Sequence, residues 1–271
     1  MKITIGHTHD ADDAFMFYAM LNGKISTQKF NIKDKLEPIA ELNLKALKAH
    51  YDMTAVSVAM LPAIADDYDL LTVGACMAET RGPILIAKPG AKLNSIAVPA
   101  INTTACYTAR LFAPNALFIE HPYADILTAV NSDQFDAGVI ITEEQMLLDE
   151  YKLESTDLGA WWQQCHDLPL PLGVDVIRSS LPMEVKQRVC QVFQSSIQYA
   201  LEHEAEAIPY ALKFGRGIAD DKGRDFVRTF VNQYTVNLGD RGIEAIRFFL
   251  NRCHEYGLIS RLPQLEFISP T

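Results

Sequence analysis

The chain has 271 residues, and its 24 lysine and arginine residues against 34 aspartate and glutamate residues give a formal net charge of −10. Nucleic-acid binding needs clustered basic side chains that neutralise phosphates, so this acidic balance without a basic cluster argues against a nucleic-acid partner. The longest apolar run, residues 55–65, contains a proline and is far shorter than the roughly 20 residues of a membrane span, which argues against a membrane protein.

The N-terminus and the cysteines favour a cytoplasmic protein. Met1 and Lys2 lead directly into a short apolar segment, which predicts a first strand rather than the longer apolar region of a secretion signal. The cysteines are an odd number, are widely scattered and never form a C-x-x-C pair; they are Cys76, Cys106, Cys165, Cys190 and Cys253. Because this pattern is not typical of a disulfide framework or a zinc site, we expect reduced thiols.

Short apolar runs alternate with helix-period segments through the first two thirds of the chain. The predicted strands are 3–5, 55–58, 70–73, 83–87, 95–98, 116–119, 138–141 and 174–177. The predicted helices in this part are 14–21, 37–48, 103–113, 122–131 and 143–151. This alternation indicates an α/β protein with open, mostly parallel sheets. Further helices are predicted at 182–203, 205–214, 220–233 and 240–256 with no later strand, so we expect a helical C-terminal tail packed against one domain.

Two stiff connections predict two domains. One is the Gly82-Pro83 entry to an apolar strand, and the other is Leu-Pro-Leu-Pro-Leu-Gly at 168–173, where prolines stiffen the chain and a glycine permits a bend. Two crossings imply a discontinuous first domain, residues 1–88 plus 174–271, and an inserted second domain, residues 92–171. The cleft between such domains is the expected place for a small ligand.

The loop after the first strand is dense in polar residues. His7 and His9 alternate with small and acidic residues that end in Asp12 and Asp13, at the strand end where α/β sheets bind ligands. A His-x-His pair there is typical of metal-dependent hydrolases, which need further ligands at later strand ends, and only His121 is suitably placed. In the alternative that we favour, Asp12 or Asp13 caps the next helix and the histidines line the cleft.

Hydroxyl and carboxylate side chains follow three other predicted strands. Asn102, Thr103 and Thr104 open a helix, where free N–H groups and the positive dipole end suit a carboxylate or phosphate; a plain helix cap is the alternative. Ser57 ends an earlier strand and is a weak signal by itself.

Thr142 and Glu143 follow the strand predicted at 138–141 in the second domain. A carboxylate at this place is able to face the cleft as an acid or a base. Helix capping is the more common role of such residues, and the sequence leaves both roles open.

Seven segments occur in order over nearly the whole chain. They are Asp-Asp-Ala-Phe-Met-Phe-Tyr-Ala at 12–19, Glu-Leu-Asn at 41–43, Asn-Thr-Thr-Ala at 102–105, Asp-Ala-Gly-Val-Ile-Ile at 136–141, Asp-Leu-Gly-Ala-Trp-Trp at 157–162, Leu-Pro-Leu-Pro-Leu-Gly at 168–173 and Tyr-Thr-Val-Asn-Leu-Gly at 234–239. Together these segments resemble the 1,4-dihydroxy-6-naphthoate synthases of the futalosine route to menaquinone. The tryptophan motif followed by the proline motif is the most specific part of the resemblance.

The resemblance implies a fold, an activity and a site. The fold is the two-domain, periplasmic-binding-protein-like type II fold. The activity is that of a lyase, which converts cyclic dehypoxanthine futalosine to 1,4-dihydroxy-6-naphthoate with no cofactor or metal. By the same resemblance, Thr103 and Thr104 hold a substrate carboxylate at the helix N-terminus, while Asp13, Asn43 and Ser57 line the cleft.

The chain departs from this family at one position. The family places a histidine, its proposed base, where this chain has Thr142. A threonine hydroxyl does not take up a proton near neutral pH, whereas histidine titrates near pH ~6.5. Another group then supplies the base, with His7, His9 and Glu143 as candidates, or the protein is a cytoplasmic binding protein that closes on a small carboxylate without turnover. The metal-dependent hydrolase is a third hypothesis, and the sequence leaves the oligomeric state open, a homodimer included.

Overall fold

The computed structural model describes residues 1–141, 152–214 and 220–271. Within these ranges the chain forms two β-sheets, each covered by helices. The strands of the first sheet are β1 (Lys2–His7), β2 (Asn31–Leu36), β3 (Met53–Ser57), β4 (Tyr68–Leu71), β5 (Cys76–Ala78), β11 (Leu170–Arg178) and β12 (Phe267–Ile268). The strands of the second sheet are β6 (Ile84–Ala87), β7 (Ser95–Val98), β8 (Leu117–Glu120), β9 (Ala137–Ile140) and β10 (Glu154–Asp157).

Most of the helices follow strands in the β-α-β order that the sequence predicts. In the first two thirds of the chain they are α1 (Ala11–Leu21), α2 (Ile39–Ala46), α3 (Leu61–Ile64), α4 (Thr104–Phe112), α5 (Ile126–Asn131) and α6 (Leu158–His166). The tail contributes α7 (Met183–Glu202), α8 (Glu204–Ala211), α9 (Asp220–Phe230), α10 (Gln233–Val236) and α11 (Gly239–Glu255). Among the described residues, no helix is both long and apolar enough to cross a membrane.

The two sheets have the same spatial arrangement: three parallel strands, then one antiparallel strand, then a further parallel strand. The first runs β2-β1-β3-β11-β4-β12, with β5 paired to the start of β11, and the second runs β8-β7-β9-β6-β10. In each sheet one antiparallel strand, β11 or β6, lies between the third and fourth parallel strands. Each of these antiparallel strands, β6 and β11, is the first strand that the chain forms after it crosses from the other domain. The two sheets are therefore connected by two chain crossings.

The crossings lie earlier in the chain than the sequence analysis placed them. Residues 84–87 were expected in the first domain, but they pair with β9 and β10 and therefore belong to the second sheet. Leu170 and Pro171 pair with β5 in the first sheet, so they do not belong to the second domain. An apolar run shows that a segment is a buried strand, but its hydrogen-bonding partner decides the sheet to which it belongs.

The chain also forms strands that the sequence analysis did not predict. The edge strand β2 has the sequence Asn-Ile-Lys-Asp-Lys-Leu and is largely exposed. Because its sequence lacks the apolar run of a buried strand, it was not predicted. The two-residue strand β12 pairs with β4, which corrects the expectation that no strand follows the helical tail. The helix predicted at 143–151 lies outside the described residues.

The helical tail packs on both faces of the first sheet. Helices α7, α8 and α9 contact α1 on one face, where the rings of Phe17 and Phe193 stack with their centroids 4.5 Å apart. Helix α11 covers the other face, where Phe249 packs 5.5 Å from the ring of Trp162 on α6. Trp162 is 1% exposed, so α6 carries a large apolar anchor from the end of the second domain into the core of the first.

Candidate functional site

A cavity of about 130 Å³ lies between the two sheets, at the ends where the parallel strands of both domains terminate. Its first-domain side includes Ser57 at the end of β3 and Thr8 directly after β1. Its second-domain side includes Ile141 directly after β9 and the first residues of α4. Open α/β sheets bind ligands at the carboxyl ends of their strands, so this cavity is the candidate site.

The second-domain wall is built on the N-terminus of α4. Thr103 is the N-cap: its hydroxyl accepts a hydrogen bond from the Cys106 N–H at 3.3 Å and donates one to the Ala100 carbonyl at 3.0 Å. Helix geometry leaves the N–H groups of Thr104 and Ala105 without an intrahelical acceptor, and both residues border the cavity. The partial positive charge of the helix end lies there too, so this wall is suited to a carboxylate.

The two domains are joined by hydrogen bonds beside this helix end. The Asn43 side-chain amide donates to the Ser57 hydroxyl at 3.1 Å and to the Asn102 carbonyl at 2.8 Å, and its oxygen accepts from the Ser57 N–H at 2.9 Å. The Thr104 hydroxyl accepts from the Ala59 N–H at 3.2 Å across the same junction. Asn43 is fully buried, so the structure places it behind the cavity wall, where it holds Ser57 and Asn102 in position.

The first-domain wall is acidic. Four aspartates border the cavity: Asp10, Asp12, Asp13 and Asp175. Asp12 and Asp13 lie in the first turn of α1, where the helix dipole stabilises negative charge. Asp13 is buried, and its Oδ2 accepts a hydrogen bond from the Thr8 N–H at 2.6 Å. The cavity therefore has a positive helix end on one side and carboxyl groups on the other.

Asp175 lies on β11, in the middle of the first sheet, and is 1% exposed. Its Oδ1 has no hydrogen-bond partner among the described residues. Burial, and secondarily the charge of Asp13, raise the pKa of Asp175 well above its usual range. Asp175 is not among the site residues predicted from the sequence, although an aspartate within the run Val-Asp-Val-Ile of a buried strand is a visible signal.

Gly74 makes room for the Asp175 carboxyl group. Its φ of +84° lies in the left-handed region, and a Cβ at this position would come within 2.5 Å of Asp175 Oδ2 and 2.3 Å of Phe193 Cε1. A side chain is therefore disfavoured both by the backbone conformation and by the space that the carboxyl group and the ring occupy.

Cys76 borders the same wall. Burial first, and then the nearby charges of Asp12, Asp13 and Asp10, raise the pKa of its thiol well above the ordinary value. Because the thiolate is the reactive form, this cysteine is unsuited to act as a nucleophile at neutral pH.

The two loop histidines do not border the cavity. His7 is buried, its ring stacks on Phe17 with centroids 4.4 Å apart, and its Nδ1 lies 3.1 Å from the Thr8 carbonyl. Its Nε2 lies 3.8 Å from Asp34 Oδ2, beyond hydrogen-bonding distance, and the nearby imidazole is the main cause that lowers the pKa of Asp34. His9 is exposed.

The metal-dependent hydrolase hypothesis finds no ligand set in the part of the chain that the structure describes. In residues 1–141, 152–214 and 220–271, no group of three or more His, Cys, Asp and Glu side chains is arranged to hold a metal ion. The base candidate Glu143 and its neighbour Thr142 lie outside the described residues, directly after the cavity residue Ile141.

Comparison with known proteins shows the family to which this chain belongs. Residues 3–255 match the family model described as menaquinone biosynthesis. The chain belongs to this family. A curated family relative from Thermus thermophilus, named 1,4-dihydroxy-6-naphthoate synthase, is 29% identical over 98% of this chain and 99% of its own length. The resemblance that the sequence motifs indicated is thereby confirmed.

Solved structures confirm the fold as well. The crystal structure of a protein from Archaeoglobus fulgidus is 38% identical, with a TM-score of 0.91 over 95% of this chain and 98% of that chain. A Candida albicans protein described as having the generic periplasmic binding protein fold is 12% identical, with a TM-score of 0.70 over 97% of this chain and 92% of that chain. The menaquinone-biosynthesis chain thus has the periplasmic-binding-protein-like α/β fold with a helical C-terminal segment.

Proposed function

We propose that this menaquinone-biosynthesis protein is a cytoplasmic lyase that converts cyclic dehypoxanthine futalosine to 1,4-dihydroxy-6-naphthoate. The observation that carries the proposal is the cavity between the domains, with the N-terminus of α4 on one wall. That helix end offers N–H groups and positive potential to the aromatic carboxylate that substrate and product share. The name of the Thermus thermophilus relative supports the same reaction.

The cavity lining supports an aromatic substrate with a carboxylate. Apolar side chains cover part of the wall, including Ile39, Leu172, Phe226 and Phe230, and they are suited to pack against a fused ring. In the proposal the carboxylate is held by the Thr103–Thr104 helix end. Asp13 and Ser57 line the opposite side, and Asn43 positions Ser57 from behind.

The proposal assigns the base to Glu143. Of the residues expected to replace the family histidine, His7 is packed against Phe17 and His9 is exposed, and neither borders the cavity. Glu143 lies two positions after the cavity residue Ile141 in the sequence, and a carboxylate is a competent general base. Replacement of Glu143 by glutamine is therefore expected to abolish turnover, whereas His9→Ala is expected to retain it.

The test of the function is turnover of cyclic dehypoxanthine futalosine by purified protein treated with a chelator. Release of 1,4-dihydroxy-6-naphthoate, followed by chromatography, would establish the reaction without an added metal. Saturable substrate binding without product would instead support the second candidate, a binding protein that closes on a small carboxylate. The replacement of the family histidine by Thr142 is the observation that favours that second candidate.

Binding of the substrate carboxylate at the N-terminus of α4 can be tested separately at Thr104. Its hydroxyl accepts the Ala59 N–H and keeps one proton to donate to a bound carboxylate. Thr104→Val keeps the side-chain shape and removes that donor, so we expect KM to rise roughly 10-fold or more, as for one lost hydrogen bond to a charged group. Thr104→Ser keeps the hydroxyl and is the matched control. Equal KM values for the two variants would contradict this role of Thr104.

A further inference from the structure

The acidic wall contains one group that the proposed function leaves without a role. Asp175 is buried in the central strand β11 and borders the cavity, while Val176 beside it packs in the opposite core with α11. Its Oδ1 makes no hydrogen bond within the described residues. A buried polar group without a partner costs free energy, so its presence in a central strand calls for a ligand or another compensating contact.

The surroundings of Asp175 determine its protonation state. The charge of Asp13 at the start of α1 acts on Asp175, and Asp175 in turn acts on Cys190 of α7, while Asp10, Asp12 and Cys76 border the same wall. Burial raises the pKa of the Cys190 thiol to about 12, so it stays neutral, and the carboxylates add only negative charge. Burial and the charge of Asp13 raise the pKa of Asp175 well above its usual range, and nothing in this set favours a second negative charge, so the protonated form, whose O–H is a donor, is the favoured one.

A neutral acid next to a hydrogen-bonded carboxylate forms a donor and acceptor pair. Asp175 supplies an O–H, and Asp13, with Oδ2 engaged by the Thr8 N–H, supplies carboxylate lone pairs. A sugar-like hydroxyl both donates and accepts hydrogen bonds, so it satisfies both groups at once. A ligand carboxylate would add a further negative charge to this wall, and its favourable place is the helix end on the other side of the cavity.

We propose that Asp175 and Asp13 bind the hydroxylated, sugar-derived end of the substrate, with Asp175 donating a hydrogen bond to a ligand oxygen and the substrate carboxylate lying at the N-terminus of α4. This inference rests on the proposed function, from which it takes the substrate. It adds the orientation of that substrate in the cavity and makes Asp175 a determinant of specificity for the sugar-derived part.

The experiment measures binding of two probes by calorimetry. Cyclic dehypoxanthine futalosine contains both ends, and 2-naphthoate contains only the aromatic carboxylate. Asp175→Leu has a similar size and no donor, so we expect the Kd of the futalosine probe to rise at least 10-fold while the Kd of 2-naphthoate stays within about 2-fold. Val176→Leu, in the core on the opposite face of the same strand and not among the cavity residues, is the control for disturbance of β11.

A second variant keeps the inference testable if Asp175→Leu does not fold. Asp175→Asn retains a donor but does not titrate. The affinity of the unaltered protein for the futalosine probe is expected to fall as pH rises and Asp175 ionises, while the affinity of Asp175→Asn stays flat. Parallel pH profiles, unchanged futalosine affinity in Asp175→Leu, or an equal loss for both probes would each overturn the inference.

The outcomes separate this inference from the proposed function. Selective loss of futalosine binding in Asp175→Leu, in a protein that forms no product, would reject the lyase and support the orientation. Product formation with unchanged binding in Asp175→Leu would support the lyase and reject the role of Asp175. A protein that binds neither probe would overturn both.

Discussion

Replacement of Asp175 by asparagine is expected to stabilise the protein increasingly as pH rises above the ordinary aspartate range. The substitution keeps the shape of the side chain and its ability to donate, but it removes the titrating group. Because burial and the nearby Asp13 hold the pKa of Asp175 well above its ordinary value, the folded protein retains a proton that the unfolded chain releases. Proton uptake by this group therefore makes folding less favourable as pH rises.

The sign and the size of the effect follow from linkage. Between the ordinary aspartate pKa of about 3.9 and the raised pKa in the folded state, the unfolded chain binds fewer protons, so the free energy of unfolding decreases as pH rises. One group contributes at most about 1.4 kcal/mol per pH unit in that window. The Asp175→Asn variant does not show this decrease in the free energy of unfolding, because asparagine does not titrate. The difference in unfolding free energy between the variant and the unaltered protein therefore grows with pH by up to that slope.

The assay is urea denaturation at pH 5, 6, 7 and 8, followed by tryptophan fluorescence and by circular dichroism. Trp161 and Trp162 lie together on α6, and Trp162 packs into the first-domain core, so fluorescence reports on the loss of that packing. Asp225→Asn, on the exposed face of α9, is the control for removing one aspartate elsewhere.

Parallel stability curves for Asp175→Asn and the unaltered protein from pH 5 to 8 would refute the reasoning. That result would mean that Asp175 ionises in the folded state as easily as in the unfolded chain. A constant offset between these parallel curves would come from packing rather than from protonation.

Two further substitutions test the contacts around the site and the first-domain core. Gly74→Ala is expected to destabilise the protein by about 2–5 kcal/mol, since left-handed backbone strain adds to overlap with the ring of Phe193. Gly90→Ala, also at positive φ but with nothing within 4 Å, should cost only about 1–2 kcal/mol, and equal losses in chemical denaturation would contradict the argument. Lys186→Met is expected to cost about 3–5 kcal/mol, because it leaves the buried Asp69 carboxylate without its ion-pair partner. Adding Asp69→Asn should recover part of that loss, and a double variant no more stable than Lys186→Met alone would show that the pair is not the cause.

Most of the helices and buried strands, and the family, could be predicted from residue order alone. The helix predicted at 182–203 is α7, Met183–Glu202, and the helix predicted at 103–113 is α4, Thr104–Phe112. Periodicity and cap residues are local signals, and a helix forms where several of them agree over many residues. The motif order from residues 12 to 239 identified the menaquinone family for the same reason, since residue identities and spacing need no contacts to be recognised.

The sheet partners and the walls of the site depended on tertiary structure. Residues 84–87 read as a strand in the sequence, but pairing with β9 and β10 assigns them to the second domain. Asn43 shows the same limit: its partners Ser57 and Asn102 lie 14 and 59 residues away in the chain, and only folding brings them together.

The loop histidines and Asp175 show the physical reason. Sequence places His7 in a polar loop, yet its ring is buried against Phe17, while Asp175 in an apolar strand borders the cavity. By itself the sequence determined the long helices, most of the buried strands and the family to which the chain belongs. Tertiary structure decided which side chains lose water and which charges face each other, because burial and Coulomb energy depend on distances between segments remote in the chain.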